Sequence, residues 1–310
     1  MGATCLSSIA ERLERGEIVH LREAPFPLPQ GADLELLLRL RLAPFAKEIR
    51  YDPATERSQG VWWAGPTHAE AAKGVFAQFS WNATAWLARA LRRYSAHWEP
   101  ELVYFRPQRI VGNELLQLEA VATAASAGHR ILRLFANIHP LESCTWASSE
   151  PLARLLERYG DAVGLASAGS ISWLGEWGRR LLGALHSDQS RPSGCASLMR
   201  RFHQHLRSNE EFQVRTPRQI WDFEPGSVWF AMTDACSYAV LHSQFTLEHA
   251  FVVPPTALVL PDESPAALIR RHIAARTLRS PWPLPRPRAA ARHSISASAC
   301  SLGVDLLGSC

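Results

Sequence analysis

At 310 residues, 47% hydrophobic and 20% charged, the chain has the makeup of a folded globular protein long enough to bury a sizeable core. Its net charge of +4, from 33 basic and 29 acidic residues, is a weak excess without a basic stripe interleaved with aromatics, which argues against a nucleic-acid partner. No run approaches the ~20 apolar residues of a membrane span, and MGATCLSSIAERLERGE lacks the order of a secretory signal, so a cytoplasmic chain is expected.

Glu17 to Leu21 reads as a strand, Pro25 to Pro29 as a proline-rich bend and Ala32 to Leu42 as a helix. From His68 to Tyr94 the apolar residues Val75, Phe76, Phe79, Ala83, Trp86, Leu87 and Ala90 recur at helical spacing, predicting a long amphipathic helix packed on a sheet. After Pro100 the period changes to two, and Leu102 to Arg106, Leu115 to Ala122 and Arg130 to Ile138 are expected strands. A helical insert follows. Ser149 caps its first helix from Pro151, Ile171 to Leu185 is a second and Ala196 to Arg207 a third. Strands return at Gln219 to Phe223, Ser227 to Thr233, Cys236 to His242 and Phe245 to Val253, and Ser264-Pro265 starts a last helix towards Leu278.

Strands, insert and strands again fit an α+β, mainly β fold: a double-stranded β-helix (jelly-roll, cupin-like) core with flanking helices. This domain is expected over residues 1–281, followed by a Pro/Arg/Ala/Ser-rich tail over 282–310 that is expected to be disordered. The six cysteines contain no C-x-x-C pair and are expected as reduced thiols, Cys236 among them as a packed one.

Several segments carry a resemblance. LERGEIVHL, KEIRYDP at Lys47 to Pro53, YFRPQRIVG at Tyr104 to Gly112, HRILRLFANIHP at His129 to Pro140, WDFEPGSVWFAMTD at Trp221 to Asp234 and SQFTLEHAF at Ser243 to Phe251 occur in one order along the chain. Together they resemble the Kdo hydroxylases, iron/2-oxoglutarate oxygenases that hydroxylate the 3-deoxy-octulosonate sugar. The resemblance implies an oxygenase fold with iron held by a His-x-Asp pair and a distal His. Carried onto this chain, the pair falls on Gln117 and Glu119 and the distal His on Tyr238, so all three are replaced. The arginines that would anchor 2-oxoglutarate are also missing, from the shortened Asn113 to Leu116 stretch and from Cys144 to Ala147. The resulting expectation is that neither iron nor 2-oxoglutarate is a cofactor.

The residues themselves then suggest a small-molecule pocket in which Glu119 is an acid/base, with Tyr238 and Gln117 positioning the substrate for a redox-neutral isomerisation, cyclisation, dehydration or rearrangement. Arg106, Trp146 and His242 are expected to touch the substrate, as is either Arg130 or Arg133, which alternation puts on opposite strand faces. A pseudoenzyme that binds a ligand or partner protein, and a hydroxylase with an unusual ligand set, are the alternatives. His139, His242 and His249 match no metal spacing, so no metal site is expected, and His203 and His205 lie two apart on a helix and cannot face one ligand. Asp234 is expected as a turn cap, and Trp62, Trp63, Trp81, Trp86 and Trp98 as core or rim.

Overall fold

A computed structural model of the chain describes residues 3–62, 66–112, 114–119, 129–164 and 194–279. In chain order it begins with α1 (Ala3–Glu14), β1 (Val19–Leu21), α2 (Gly31–Arg39), β2 (Arg41–Leu42), β3 (Ile49–Asp52), β4 (Arg57–Gln59) and β5 (Val61–Trp62). The helices α3 (Pro66–Ala90) and α4 (Arg92–Ser95) follow, then β6 (Glu99–Arg106), β7 (Ile110–Val111), β8 (Arg130–Asn137) and β9 (Cys144–Pro151). Three helices come next, α5 (Leu152–Tyr159), α6 (Gly194–Ser208) and α7 (Glu210–Arg215). The chain returns to strands in β10 (Gln219–Phe223), β11 (Val228–Met232), β12 (Cys236–Ser243) and β13 (Thr246–Val253), and α8 (Pro265–Arg279) completes it.

The strands form a seven-stranded sheet, ordered β1-β11-β8-β13-β6-β3-β4, facing a four-stranded sheet ordered β10-β9-β12-β7. Every pairing is antiparallel, as a jelly roll requires. Alternation along each strand then divides the side chains between three layers. Odd-numbered residues of β13 (Leu247, Phe251 and Val253) pack with Phe105, Leu132, Leu134 and Phe230 on one face of the large sheet, against Val75, Phe76, Phe79, Ala83 and Leu87 of α3. Each such fully buried aromatic or leucine contributes roughly 1.5–3 kcal/mol. Even-numbered residues point the other way, into the space between the sheets.

That space is filled at one end by aromatic rings. Phe223 lies flat on Trp229 at 3.9 Å between centroids, and Trp146 meets Trp229 edge-on at 5.5 Å. Outside the small sheet, Ala147 and Ala239 pack with Leu152, Leu155, Phe202, Leu206 and Phe212 of the helical layer. Gly16 has φ of 88°, and a Cβ there would stand 2.5 Å from the Ala235 carbonyl oxygen, so the turn before β1 requires glycine.

Several sequence expectations need correction. The second helix stops at Arg39, because Arg41 and Leu42 pair with Val61 and Trp62. The long helix breaks at Leu91 into α3 and α4. Leu115 to Glu119 does not form a ladder strand. Gln117 makes a single bridge to Tyr238, while the Leu116 backbone is taken by the Gln213 side chain. Ser149 is no cap: it lies in β9, where its hydroxyl donates to the Pro217 carbonyl. The polar Ser-Ser-Glu-Pro run mimicked a helix start and hid a strand whose Cys144 and Trp146 face inward. The expected helix over 171–185, the tail over 282–310 and Trp63 fall outside the described residues. Among those described, no helix is long and apolar enough to cross a membrane.

Candidate functional site

At the open end of the sandwich the inward faces of both sheets leave a cavity of about 470 Å³. Its floor is one register row of the large sheet. Arg50 pairs with Tyr104, Tyr104 with Glu248 and Glu248 with Phe135, so four neighbouring strands present these side chains side by side. Arg106 and Thr246, also paired, supply the next row, and Arg133 stands two residues before Phe135. The opposite wall comes from Trp146, Tyr238 and Val240 of the small sheet, and Gln117, Leu118, Glu119 and His203 close one side.

The charged residues form a chain of alternating sign. Arg50 and Arg106 both reach Glu48, at 3.1 and 3.0 Å. Arg106 also binds Glu248, and Arg133 binds Glu248 and Glu119, the latter through two parallel contacts. Thr233 closes the series by donating to Glu119 at 2.6 Å. Burial pushes the Glu248 carboxyl up, but Arg106 and Arg133 outweigh it and hold the group below the usual carboxylate range. The same carboxylates push both guanidiniums above their ordinary range against the opposing effect of burial. Burial together with Glu119 raises the Tyr238 phenol well above its ordinary value, so it stays protonated and able to donate. Its ring stacks on Trp146 at 4.8 Å and 15°.

Of the residues expected from sequence, Gln117, Glu119, Tyr238, Arg106, Arg133 and Trp146 do line this cavity. Two do not. Arg130 is fully buried near the far end of β8, where its Nε donates to Asp234 at 2.8 Å and its Nη1 reaches backbone carbonyls. Asp234, expected as a turn cap, sits in the turn as a buried ion-pair partner of Arg130. His242 leaves the cavity because the β12–β9 register shifts between Val240 and His242, which ends the alternation that placed it beside Tyr238. It bonds instead to the Ser143 carbonyl and to Arg109.

Among the lining residues that escaped the sequence reading are Glu48, Arg50, Tyr104, Glu248 and His203. Glu248 was reachable by counting two residues from Thr246. His203 was not, because its neighbour His205 turns away to Tyr159 and Asn209. Burial lowers the His203 imidazole from its ordinary range, and its buried Nδ1 has no hydrogen-bond partner among the described residues.

A sequence model of the 3-deoxy-D-manno-oct-2-ulosonic acid (Kdo) hydroxylases matches residues 3–276. The chain belongs to the Kdo hydroxylase family. Its fold is that of the solved Kdo hydroxylase KdoO, a non-heme Fe(II) alphaketoglutarate dependent dioxygenase. The cobalt(II) complex of KdoO gives a TM-score of 0.73, with 23% identity over 88% of this chain and 92% of that one. The complex with succinate and Fe(III) gives 0.71 at the same identity and coverage. No curated protein matches the chain.

These matches overturn the expectation that neither iron nor 2-oxoglutarate is a cofactor, since the solved Kdo hydroxylase is a non-heme Fe(II) alphaketoglutarate dependent dioxygenase. This chain's own side chains, however, do not fit iron held by two imidazoles and a carboxylate. Both oxygens of Glu119 are engaged by Arg133 and Thr233, and the partners at the other two positions are an amide and a neutral phenol. Among the described residues no group of three or more His, Cys, Asp or Glu is placed to hold a metal ion.

Proposed function

We propose that this Kdo-hydroxylase-fold protein binds a small polyhydroxylated organic substrate in the inter-sheet cavity and promotes a redox-neutral proton transfer upon it. The observation that carries this reading is the convergence of a carboxylate acceptor, Glu119, and a protonated phenol donor, Tyr238, on one cavity, with Gln117 bridged to Tyr238. A carboxylate offers about four lone-pair sites, and Arg133 and Thr233 use three of those on Glu119, leaving one for a substrate proton. An acceptor placed there suits a proton already acidified by an adjacent carbonyl. Tyr238 supplies the matching hydrogen bond to the oxyanion that forms, and Gln117 orients the carbonyl. Isomerisation and dehydration beside a carbonyl begin this way, and a cyclisation or rearrangement can proceed from the same enolate.

A second reading is iron- and 2-oxoglutarate-dependent hydroxylation of a Kdo-like sugar, favoured by family membership. One experiment separates the two. The full chain is incubated in D₂O with 3-deoxy-D-manno-oct-2-ulosonic acid and related sugars, with and without Fe(II) and 2-oxoglutarate, and products are weighed by mass spectrometry. Deuterium uptake or water loss that Glu119→Gln slows by about 10²–10⁴-fold supports proton transfer. Succinate formed together with an oxygenated sugar establishes hydroxylation and removes the first reading.

A further inference from the structure

We propose that the cavity is built for the uncharged, hydroxyl-bearing face of a sugar and selects against a substrate carboxylate, a narrowing that rests on the pocket reading above. The described lining residues contribute three guanidiniums, those of Arg50, Arg106 and Arg133, and three carboxylates, those of Glu48, Glu119 and Glu248. Each guanidinium is already held by at least one of those carboxylates, and Arg106 and Arg133 by two each. An arginine that receives a substrate carboxylate must have a charge to spare. Here an incoming anion would have to displace a glutamate, or lie against one, in a site where Glu248 is wholly buried and has no water to fall back on. Burial also works against a cation at His203, lowering its imidazole from the ordinary range.

A hydroxyl meets no such obstacle. It donates and accepts at once, so it can bridge a guanidinium N–H and the neighbouring carboxylate oxygen without parting them. The floor repeats that donor–acceptor pairing along Arg50, Glu48, Arg106, Glu248, Arg133 and Glu119, which matches a run of vicinal hydroxyls. The Gln117 amide offers another donor and acceptor pair on the wall. The half-buried ring of Tyr238 gives the apolar C–H face of a pyranose a surface to rest on, while the Tyr104 ring is covered by the Arg133 guanidinium at 5.4 Å.

The test is calorimetric titration of the full chain with matched probes: 3-deoxy-D-manno-oct-2-ulosonic acid against its primary amide, and methyl glycopyranosides against the corresponding uronides. The neutral member of a pair is expected to bind about tenfold more tightly than the acid. Glu48→Gln, which leaves Arg50 and Arg106 short of one carboxylate, is expected to narrow or reverse that preference; its side chain is less buried than that of Glu248, which makes loss of folding a smaller concern, and circular dichroism checks it. Acids that bind the wild-type chain as tightly as their neutral partners overturn the inference while leaving a sugar pocket in place. Failure of every probe to bind removes the pocket reading along with it.

Discussion

Arg133 holds two carboxylates at once, and its removal separates what the site needs for folding from what it needs for chemistry. Among the described residues, Arg133→Met leaves Glu248 with Arg106 as its remaining partner and Glu119 with the Thr233 hydroxyl alone. Breaking this half of a buried network is expected to cost about 3 kcal/mol, read by denaturant unfolding, and an unchanged midpoint would show that the network adds nothing to stability. His249 gives a second residue-scale test. It points to the opposite face of β13, fully buried, with Nε2 2.9 Å from the Ser80 hydroxyl. Burial pushes its pKa down from 6.5 to about 4. The unfolded chain takes up this proton as pH falls below 6.5 while the folded chain resists until about 4, so stability is complete above that window and declines within it. The loss amounts to about 3 kcal/mol, and His249→Gln, which keeps a partner for Ser80 but does not titrate, is expected to flatten the pH profile. Parallel profiles for the two proteins would refute the assignment.

Elements, more than single residues, decide what was legible in the sequence. Period-two strands with both faces buried were found wherever their apolar residues were continuous, as in β8, β11, β12 and β13. β9 was missed because Ser148, Ser149 and Glu150 carry the grammar of a helix cap, and only pairing to β10 and β12 makes them strand. The candidate triad was reached through the resemblance, whereas Arg50 lies on β3 and Glu48 just before it, far from the triad in sequence, and nothing local tells that β3 joins the sheet beside β6. Likewise, one bulge in β12 was enough to move His242 out of a site that simple alternation assigned to it. At this scale α1 is also more than a terminal decoration. Glu14 at its end accepts from the Tyr94 hydroxyl at 2.6 Å and from the backbone N–H groups of Val259 and Leu260 at 2.8 and 2.5 Å. Glu14→Ala strands two backbone donors, at an expected cost of about 3 kcal/mol. Hydrogen exchange at Val259 and Leu260 should quicken selectively, and protection equal to wild type there would show that water replaces the carboxylate.

For the molecule as a whole, the packing of two sheets of unequal size leaves aromatic rings sealed at one end and a charged cavity at the other, with Trp146 at the boundary. Its ring belongs to the buried cluster with Phe135, Phe223 and Trp229, yet its stacking partner Tyr238 lines the cavity. Trp146 and Trp229 lie 5.5 Å apart at 86°, close and crossed enough for their electronic transitions to mix. The protein thus carries a built-in optical gauge. A sugar that tilts Tyr238 should alter the near-ultraviolet circular dichroism of this coupled pair, giving a label-free signal whose titration reports occupancy of the cavity even for a molecule that is never turned over.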